Sequence, residues 1–519
     1  MTRFQLNGLF DQANQMRQSS TAMKLSVLLV VSLAAAGASA QTNAPDVRRI
    51  SLQDCIQDAL AKNLDLRIAR YTPAQAQLDL TAAYAGYDPI FFLGGQHNYS
   101  RSGGGIDPAT HLPTPSSQTD ADSFSSSVVS GLMPWGTKYS LQGSLSESYG
   151  IIGGKSFDQS RGSASVSLTQ PLLKDFWING TRLNIRVGKN RVKYSELGLR
   201  QIIMSTATTV EKAYYDLIAA RESVKVQEKA VEIAVALLNE NKKRVEFGAM
   251  TPLDAQDAEA QAASSQAALI RAQQALQTRL ETLKGLIGDN FAAWSEVDLV
   301  PVDTLTTNRQ TFDLQQSWGT ALTERPDLLQ SKLDVERQGV TLKYSRNQMF
   351  PELDLVGSYG HNASGAREFS GAFDQLGNGS QPSYYYGAQI SFPLGNTGAR
   401  ANYKKGKLAM ETLLLDLKKL EQSIMIQVHN DIGTINADYD NLEASRKARE
   451  FAEASLEAEQ TRLQNGKSTT FTVLQKQSLV TSSRASEIQA LADYNKALSQ
   501  LSLDKAMTLD RLGINLEVK

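Results

Sequence analysis

Apolar residues recur every seven positions along the middle of the chain: Ile203, Val210, Leu217, Val224, Val231, Leu238 and Val245, with Ala213, Ala220 and Ala234 beside the seam. A seven-residue repeat sets about 3.5 residues per turn and a left-handed supercoil, and alanine lets neighbouring helix backbones approach closely. The run breaks at Gly248-Ala249-Met250-Thr251-Pro252, and an alanine-rich helical pattern resumes at Leu253. The spacing therefore predicts a hairpin with arms over 180–247 and 253–287, and a second over 399–465 and 470–511. At about 1.5 Å per residue the longer arms reach on the order of 100 Å, far beyond a globular core.

The two hairpins belong to one unit written twice. Residues 51–95 align without a gap on 313–357, with Leu52/Leu314, Ala59/Ala321, Asp65/Asp327, Pro89/Pro351 and Gly95/Gly357 among the identical pairs. Further on, Arg244 and Gly248 match Arg462 and Gly466, and the same shift sets Val428, Ile435, Leu442, Arg449, Leu456 and Leu463 opposite Val210 through Val245. Proline disfavours helical geometry in the residue before it, and after Pro89 and Pro351 the period changes to two. In the second unit Leu353, Leu355 and Tyr359 alternate with Asp354, Ser358 and Gly360, and Tyr384, Tyr386 and Ile390 with Ser383, Gln389 and Ser391. The first unit has matching strands near 90–100 and 162–171. Between them an added pair, 124–132 and 139–146, is joined by the short turn Pro134-Trp135-Gly136.

That makes six strands, four in the first unit and two in the second. Segments 101–122 and 150–161, rich in Gly, Ser and Pro, are expected as long loops; short turns at one end and long loops at the other are the asymmetry of outer-membrane barrels. Strands of about ten residues suit a tilted bilayer crossing. A soluble sandwich edge shows the same alternation. Six strands fall short of the roughly eight in the smallest single-chain barrel, and lipid does not tolerate an open edge. The membrane reading thus requires several chains to build one barrel.

Composition removes other classes. Net charge is −1, so no global field recruits nucleic acid, and Cys55 is the single cysteine. His97, His111, His361 and His429 lie far apart without metal-ligand spacing. No nucleophile–base pattern or phosphate-binding glycine loop occurs, so no enzyme activity, cofactor or metal is expected. Met23-Lys24, the apolar run Leu25 to Ala36 and Ala38-Ser39-Ala40 read as a secretory signal peptide over 1–40, with translation starting at Met1 or Met23. No later segment is apolar for long enough to span a bilayer as a helix.

Signal peptide, duplicated unit and Arg-x-x-x-Gly hairpin ends together resemble the TolC family of outer-membrane efflux proteins, the outer membrane factors. The marks are Ala59-Leu60-Ala61-Lys62-Asn63-Leu64-Asp65-Leu66, Leu168-Thr169-Gln170-Pro171-Leu172-Leu173, and Arg462 to Thr469 running on to Val473-Leu474. The resemblance implies a mainly α fold with transmembrane β: a homotrimer whose α-helical periplasmic tunnel is continuous with a shared outer-membrane β-barrel. Family members usually give four strands per subunit; six here imply an eighteen-stranded barrel in place of twelve. The expected division is signal peptide 1–40, short helices 41–88, strands 89–172, first hairpin 173–288, equatorial connector 289–312, short helices 313–350, strands 351–394, second hairpin 395–513 and tail 514–519.

The function so implied is passive export, for efflux or type I secretion, in the outer membrane of a Gram-negative bacterium. A periplasmic adaptor (membrane fusion) protein and an inner-membrane pump of unknown class would be partners, with outer-membrane lipid around the barrel. In the family, acidic residues past the tip glycine close the periplasmic mouth against basic partners. Carried onto this chain, the gate is Asp254, Asp257 and Lys467, with Thr472 and Gln475 at the second tip departing from the acidic pair. Asp254 and Asp257 also stand in a first helical turn after Pro252, where the helix dipole favours carboxylates without any gate. The adaptor would dock on Arg244, Gly248, Ala249, Met250, Thr251 and Pro252, and on Arg462, Gly466, Lys467, Ser468 and Thr469. From the residues alone, a secreted structural coiled coil without channel activity stays open as an alternative; a periplasmic binding protein or enzyme would need a compact pocket constellation that the sequence does not supply.

Overall fold

The computed structural model describes residues 47–248 and 250–514. The expected signal peptide, Ala249 at the first tip and the tail beyond Ile514 lie outside them. In the first unit β1 (Val47–Ile50) leads into α1 (Leu52–Lys62) and α2 (Leu64–Tyr84), then β2 (Ile90–Ser102), β3 (Ser117–Leu132), β4 (Lys138–Ile152) and β5 (Lys155–Pro171). The hairpin α3 (Gly180–Glu246) and α4 (Pro252–Ile287) follows, then the short α5 (Phe291–Trp294) and β6 (Asp298–Pro301). The second unit repeats the plan with α6 (Leu314–Glu324), α7 (Pro326–Asn347), β7 (Glu352–Ala366), α8 (Phe369–Gly377), β8 (Pro382–Ser391), α9 (Thr397–Gln464), α10 (Thr470–Asp504) and α11 (Thr508–Arg511).

Both heptad seams are where the helices meet. Val210, Leu217, Val428, Ile435 and Leu442 are fully buried, and Ala213 and Ala234 are buried beside them. Val231, Leu238, Val245, Leu456 and Leu463 nearer the tips are only half-buried. Arg449 occupies a seam position in the second hairpin, and it holds Glu453 at 2.9 Å and Glu487 of α10 at 2.5 Å. The packing partners set the order of the wall: α2 and α4 on one side of α3, α7 and α10 on the other, and α9 beyond them.

The strands form one antiparallel sheet in the order β2-β3-β4-β5-β7-β8. Its register puts Tyr139 opposite Leu168, Leu141 opposite Val166, and Val166 opposite Tyr359 on one face. Ser140, Ser144, Ser163 and Ser167 share the other face, with hydroxyl bonds of 2.6 Å between Ser140 and Ser167 and 2.7 Å between Ser144 and Ser163. One face is apolar and aromatic, the other lined with hydroxyls. β2 and β8 are the edges, each paired on one side only within the chain.

Four expectations are corrected. Segment 150–161 is not a long loop: β4 and β5 run through it and turn at Gly153 (φ +60°) and Gly154 (φ +81°), because two glycines supply the left-handed pair that the tightest hairpin turn needs. The loop expected over 101–122 shortens, since β3 already starts at Ser117. The β7–β8 connection holds the unforeseen α8, which lies on the apolar face of the sheet. There Ala372 is buried against Ala363 and Ala366, and Phe369 meets Phe124 edge-on at 5.7 Å. A Cβ on Gly162 would come within 2.9 Å of both Leu145 and Leu376, so the wall is kept small where the helix sits. Finally, the last long helix stops at Asp504, not 511, and the chain passes through Ala506 (φ +57°) into α11.

The connector forms a second layer over α3. β1 pairs in parallel with β6. Tyr214 Oη donates to the Ile50 carbonyl at 3.1 Å and to Asp303 at 2.8 Å, and Arg511 grips the fully buried Glu211, with Nη1 to Oε1 at 2.8 Å. Nearby, Asp504 accepts from Gln427 at 2.8 Å and Gln500 at 2.6 Å, and lies 3.5 Å from Arg325. Burial, with Asp504 adding to it against the weaker pull of Arg325 and Lys212, pushes the neighbouring Asp431 carboxyl up to about 7. A carboxyl raised on folding stabilises fully below its unfolded value and loses that contribution as pH rises through the folded one. Asp431→Asn is therefore expected to raise the thermal midpoint more at pH 8 than at pH 5, and to leave it little changed below the unfolded value of 3.8. Equal shifts at both pH values would sink this.

Candidate functional site at the hairpin tips

Each hairpin reverses through a glycine in the left-handed region, Gly248 and Gly466, both at φ +70°. In the second tip Lys467 N donates to Arg462 O at 2.8 Å and Gly466 N to Leu463 O at 3.0 Å. This double bond back to the last turn satisfies carbonyls that a helix end leaves open. The first tip has the equivalent bond from Gly248 N to Val245 O at 2.9 Å.

The return helices start with different chemistry at equivalent positions. Thr251 caps α4: its hydroxyl accepts from Asp254 N at 3.3 Å, while the Asp254 carboxylate accepts from Thr251 N at 3.0 Å and from Thr251 Oγ1 at 2.6 Å. These bonds hold the Asp254 carboxyl below its ordinary range, the side-chain bond contributing most. Thr469 caps α10 in the same way, but its partner is the hydroxyl of Thr472, at 2.9 Å. The Asn241 amide reaches across the first hairpin to the Asp254 carbonyl at 3.4 Å; at the matching place in the second, Glu459 accepts from Ser468.

The sequence-predicted residues do gather at the two tips. Asp257, Lys467 and Gln475 are exposed, and Asp254 and Thr472 half-buried. Among the described residues Lys467 forms no ion pair with Asp254, whose carboxylate is engaged by Thr251. Arg244 pairs with Glu240 and Arg462 with Glu459, each within its own helix. Pattern reading missed the apolar residues at the tips: Phe247, Leu253 and Phe471 are 85%, 65% and 65% exposed. Leu253 and Phe471 occupy equivalent places in the two units. A large apolar side chain in the turn, with no seam for it to join, was the available signal.

A wall of long helices, continuous with a two-faced sheet whose edges are unpaired within the chain, is the build of an outer-membrane channel subunit. Solved structures agree: the outer-membrane channel OprN superposes with a TM-score of 0.66 at 16% identity, over 88% of this chain and 89% of that one. The chain belongs to the outer membrane efflux protein family, whose model matches residues 55–289 and 318–503. It is 24% identical to the pyoverdine export outer membrane protein OpmQ of Pseudomonas aeruginosa over 63% of this chain, and spans 66% of that protein, just under two thirds. It is also 24% identical to the outer membrane protein TolC of Escherichia coli, over 66% of this chain and 69% of that one.

The two caps respond differently to acid. The first contributes stability that is complete above the ordinary aspartate value of 3.8 and is lost as pH falls through the lower folded value. The second has no titrating partner. Amide exchange in the first turn of α4 is expected to lose protection on acidification while that of α10 does not, after correction for intrinsic exchange. Thr251→Ala should accelerate exchange there about fivefold at neutral pH; an unchanged rate would contradict the capping role.

Proposed function

We propose that three copies of this chain form a passive export duct in the outer membrane of a Gram-negative bacterium, with the helices projecting into the periplasm. The carrying observation is the six-stranded sheet with an apolar face and two unpaired edges. In lipid each edge must find a partner. β8 of one copy pairs with β2 of the next, closing an eighteen-stranded barrel with apolar residues toward lipid and serines toward water. The helical walls of the three copies close into a tunnel below it. Energy comes from an inner-membrane pump through a periplasmic adaptor that docks on the two kinds of tip, with Phe247, Leu253 and Phe471 as its apolar anchors. Asp254, Asp257, Lys467, Thr472 and Gln475 line the closed mouth, where Lys467 meets Asp254 of a neighbouring hairpin.

Cysteines placed along β2 and β8 should oxidise to a covalent trimer, whereas monomers in a conducting preparation would refute the shared barrel. In planar bilayers Asp254→Ala and Lys467→Ala are expected to raise single-channel conductance. Unchanged conductance in both would remove the charged gate and leave the duct intact. Phe247→Asp combined with Phe471→Asp should abolish capture of the adaptor without altering conductance.

A further inference from the structure

Just below the sheet, where α3 runs beside α7, the wall carries a groove of about 590 Å³. Arg186, Lys189 and Lys193 of α3 and Lys343 of α7 stand around it, against the single acid Glu336. None of these four cations has an ion-pair partner among the described residues, whereas nearby Arg191 and Arg200 pair with Asp79 and Glu324. The floor is apolar, with Val335, Val340 and Met410, except for Asn190. Asn190 is 8% exposed, and its amide nitrogen donates to the Leu333 carbonyl at 2.9 Å. That bond fixes the amide orientation and leaves the buried Oδ1 without a donor. The groove thus offers several positive charges and one buried acceptor.

Its height and side are also defined. Phe176, Trp177 and Ile178, between the end of β5 and the start of α3, are exposed, as is Trp135 in the β3–β4 turn, whose carbonyl accepts from Trp177 N at 3.2 Å; aromatic residues gather in this way at a membrane–water interface. Arg182 stacks on Trp177 at 4.9 Å. Arg186 to Lys193 follow Gly180 by roughly 9 to 20 Å of helix. The same stripe of α3 continues down through Leu197 and Arg200 to a cleft closed by Leu509 and Ile514, and on to the connector layer at Glu211. Three copies of that layer inside a tunnel would fill its bore, so this stripe faces outward.

We infer that the groove binds the headgroup of an anionic glycerophospholipid, phosphatidylglycerol in the first instance, from the periplasmic leaflet. The phosphate sits among Arg186, Lys189, Lys193 and Lys343, a glycerol hydroxyl donates to Asn190 Oδ1, and the acyl chains run up past Trp177 into the bilayer. A zwitterionic choline lipid has the phosphate but neither the net charge nor the hydroxyl donor. The inference rests on the outer-membrane orientation proposed above.

The test is native mass spectrometry of the detergent-purified full chain titrated with phosphatidylglycerol or phosphatidylcholine, with conductance recorded on the same preparation. Phosphatidylglycerol should be retained about tenfold better than phosphatidylcholine. Arg186→Gln/Lys189→Gln/Lys343→Gln should remove that preference, Asn190→Ala should weaken it, and Arg186→Lys should keep it. Equal retention of the two lipids, or a triple variant that binds phosphatidylglycerol like the parent, overturns the site. A triple variant with altered ion selectivity and unaltered lipid binding also overturns it, because the groove then faces the bore. Selective lipid retention by a protein that never conducts supports the site and counts against the duct alone.

Discussion

An unpaired backbone amide or carbonyl in hydrocarbon costs several kcal/mol, and this constraint organises the molecule. A sheet of six strands with an apolar face cannot stand alone in lipid, so its two edges define what the chain has to become. In the proposed trimer, closure by copies reaches the helices as well: a wall that continues from a closed sheet is itself curved around an axis. The half-buried seams toward the tips and the fully buried ones near the connector fit such a wall. Near the connector a second layer covers the helices from within the same chain, while further down only neighbouring hairpins are available.

The recurrence of one order of elements explains how so long a chain is specified by so few rules. One pattern of short helices, strands, long helix, glycine turn and return helix is used twice, and the differences between the uses are confined. The first unit gains β3 and β4, with a short turn between them and a tight turn into β5, and a longer loop over 103–116 leading in from β2. The second gains α8, seated on positions kept small at Gly162, Ala363 and Ala366. Arg449 shows a seam position changed from apolar to charged without loss of packing, because acids from two helices meet it.

What was legible in the sequence follows physical periodicity. The four long helices and the six strands each repeat their pattern over many turns or pleats, so their existence could be read, although β3, β4 and β5 run well past the expected bounds and the last long helix stops short of them. Short elements carry no period. β1 and β6 are four residues each, held by Tyr214 and Arg221 from a helix far along the chain. Gly153-Gly154 reads as loop by composition, although its two left-handed residues are what makes the turn shortest. At the tips, spacing placed Asp254 at the start of the return helix but did not give its bonds: a carboxylate three residues after a threonine is first of all a cap. Phe247 stands just past Val245, the last seam residue, and before the turn glycine, so its exposure was within reach of the heptad pattern.

The unequal caps have a consequence for symmetry. A ring of three such chains has six hairpin ends that look alike in backbone, each with a left-handed glycine and a threonine cap. Chemically they alternate, carboxylate at Asp254 and hydroxyl at Thr472, phenyl at Phe247 and amide at Asn465. The ring is sixfold in shape and threefold in recognition. A partner presenting six equivalent contacts would meet two kinds of socket in turn, and only a partner that itself alternates, or that occupies every second end, can fit all of its contacts at once.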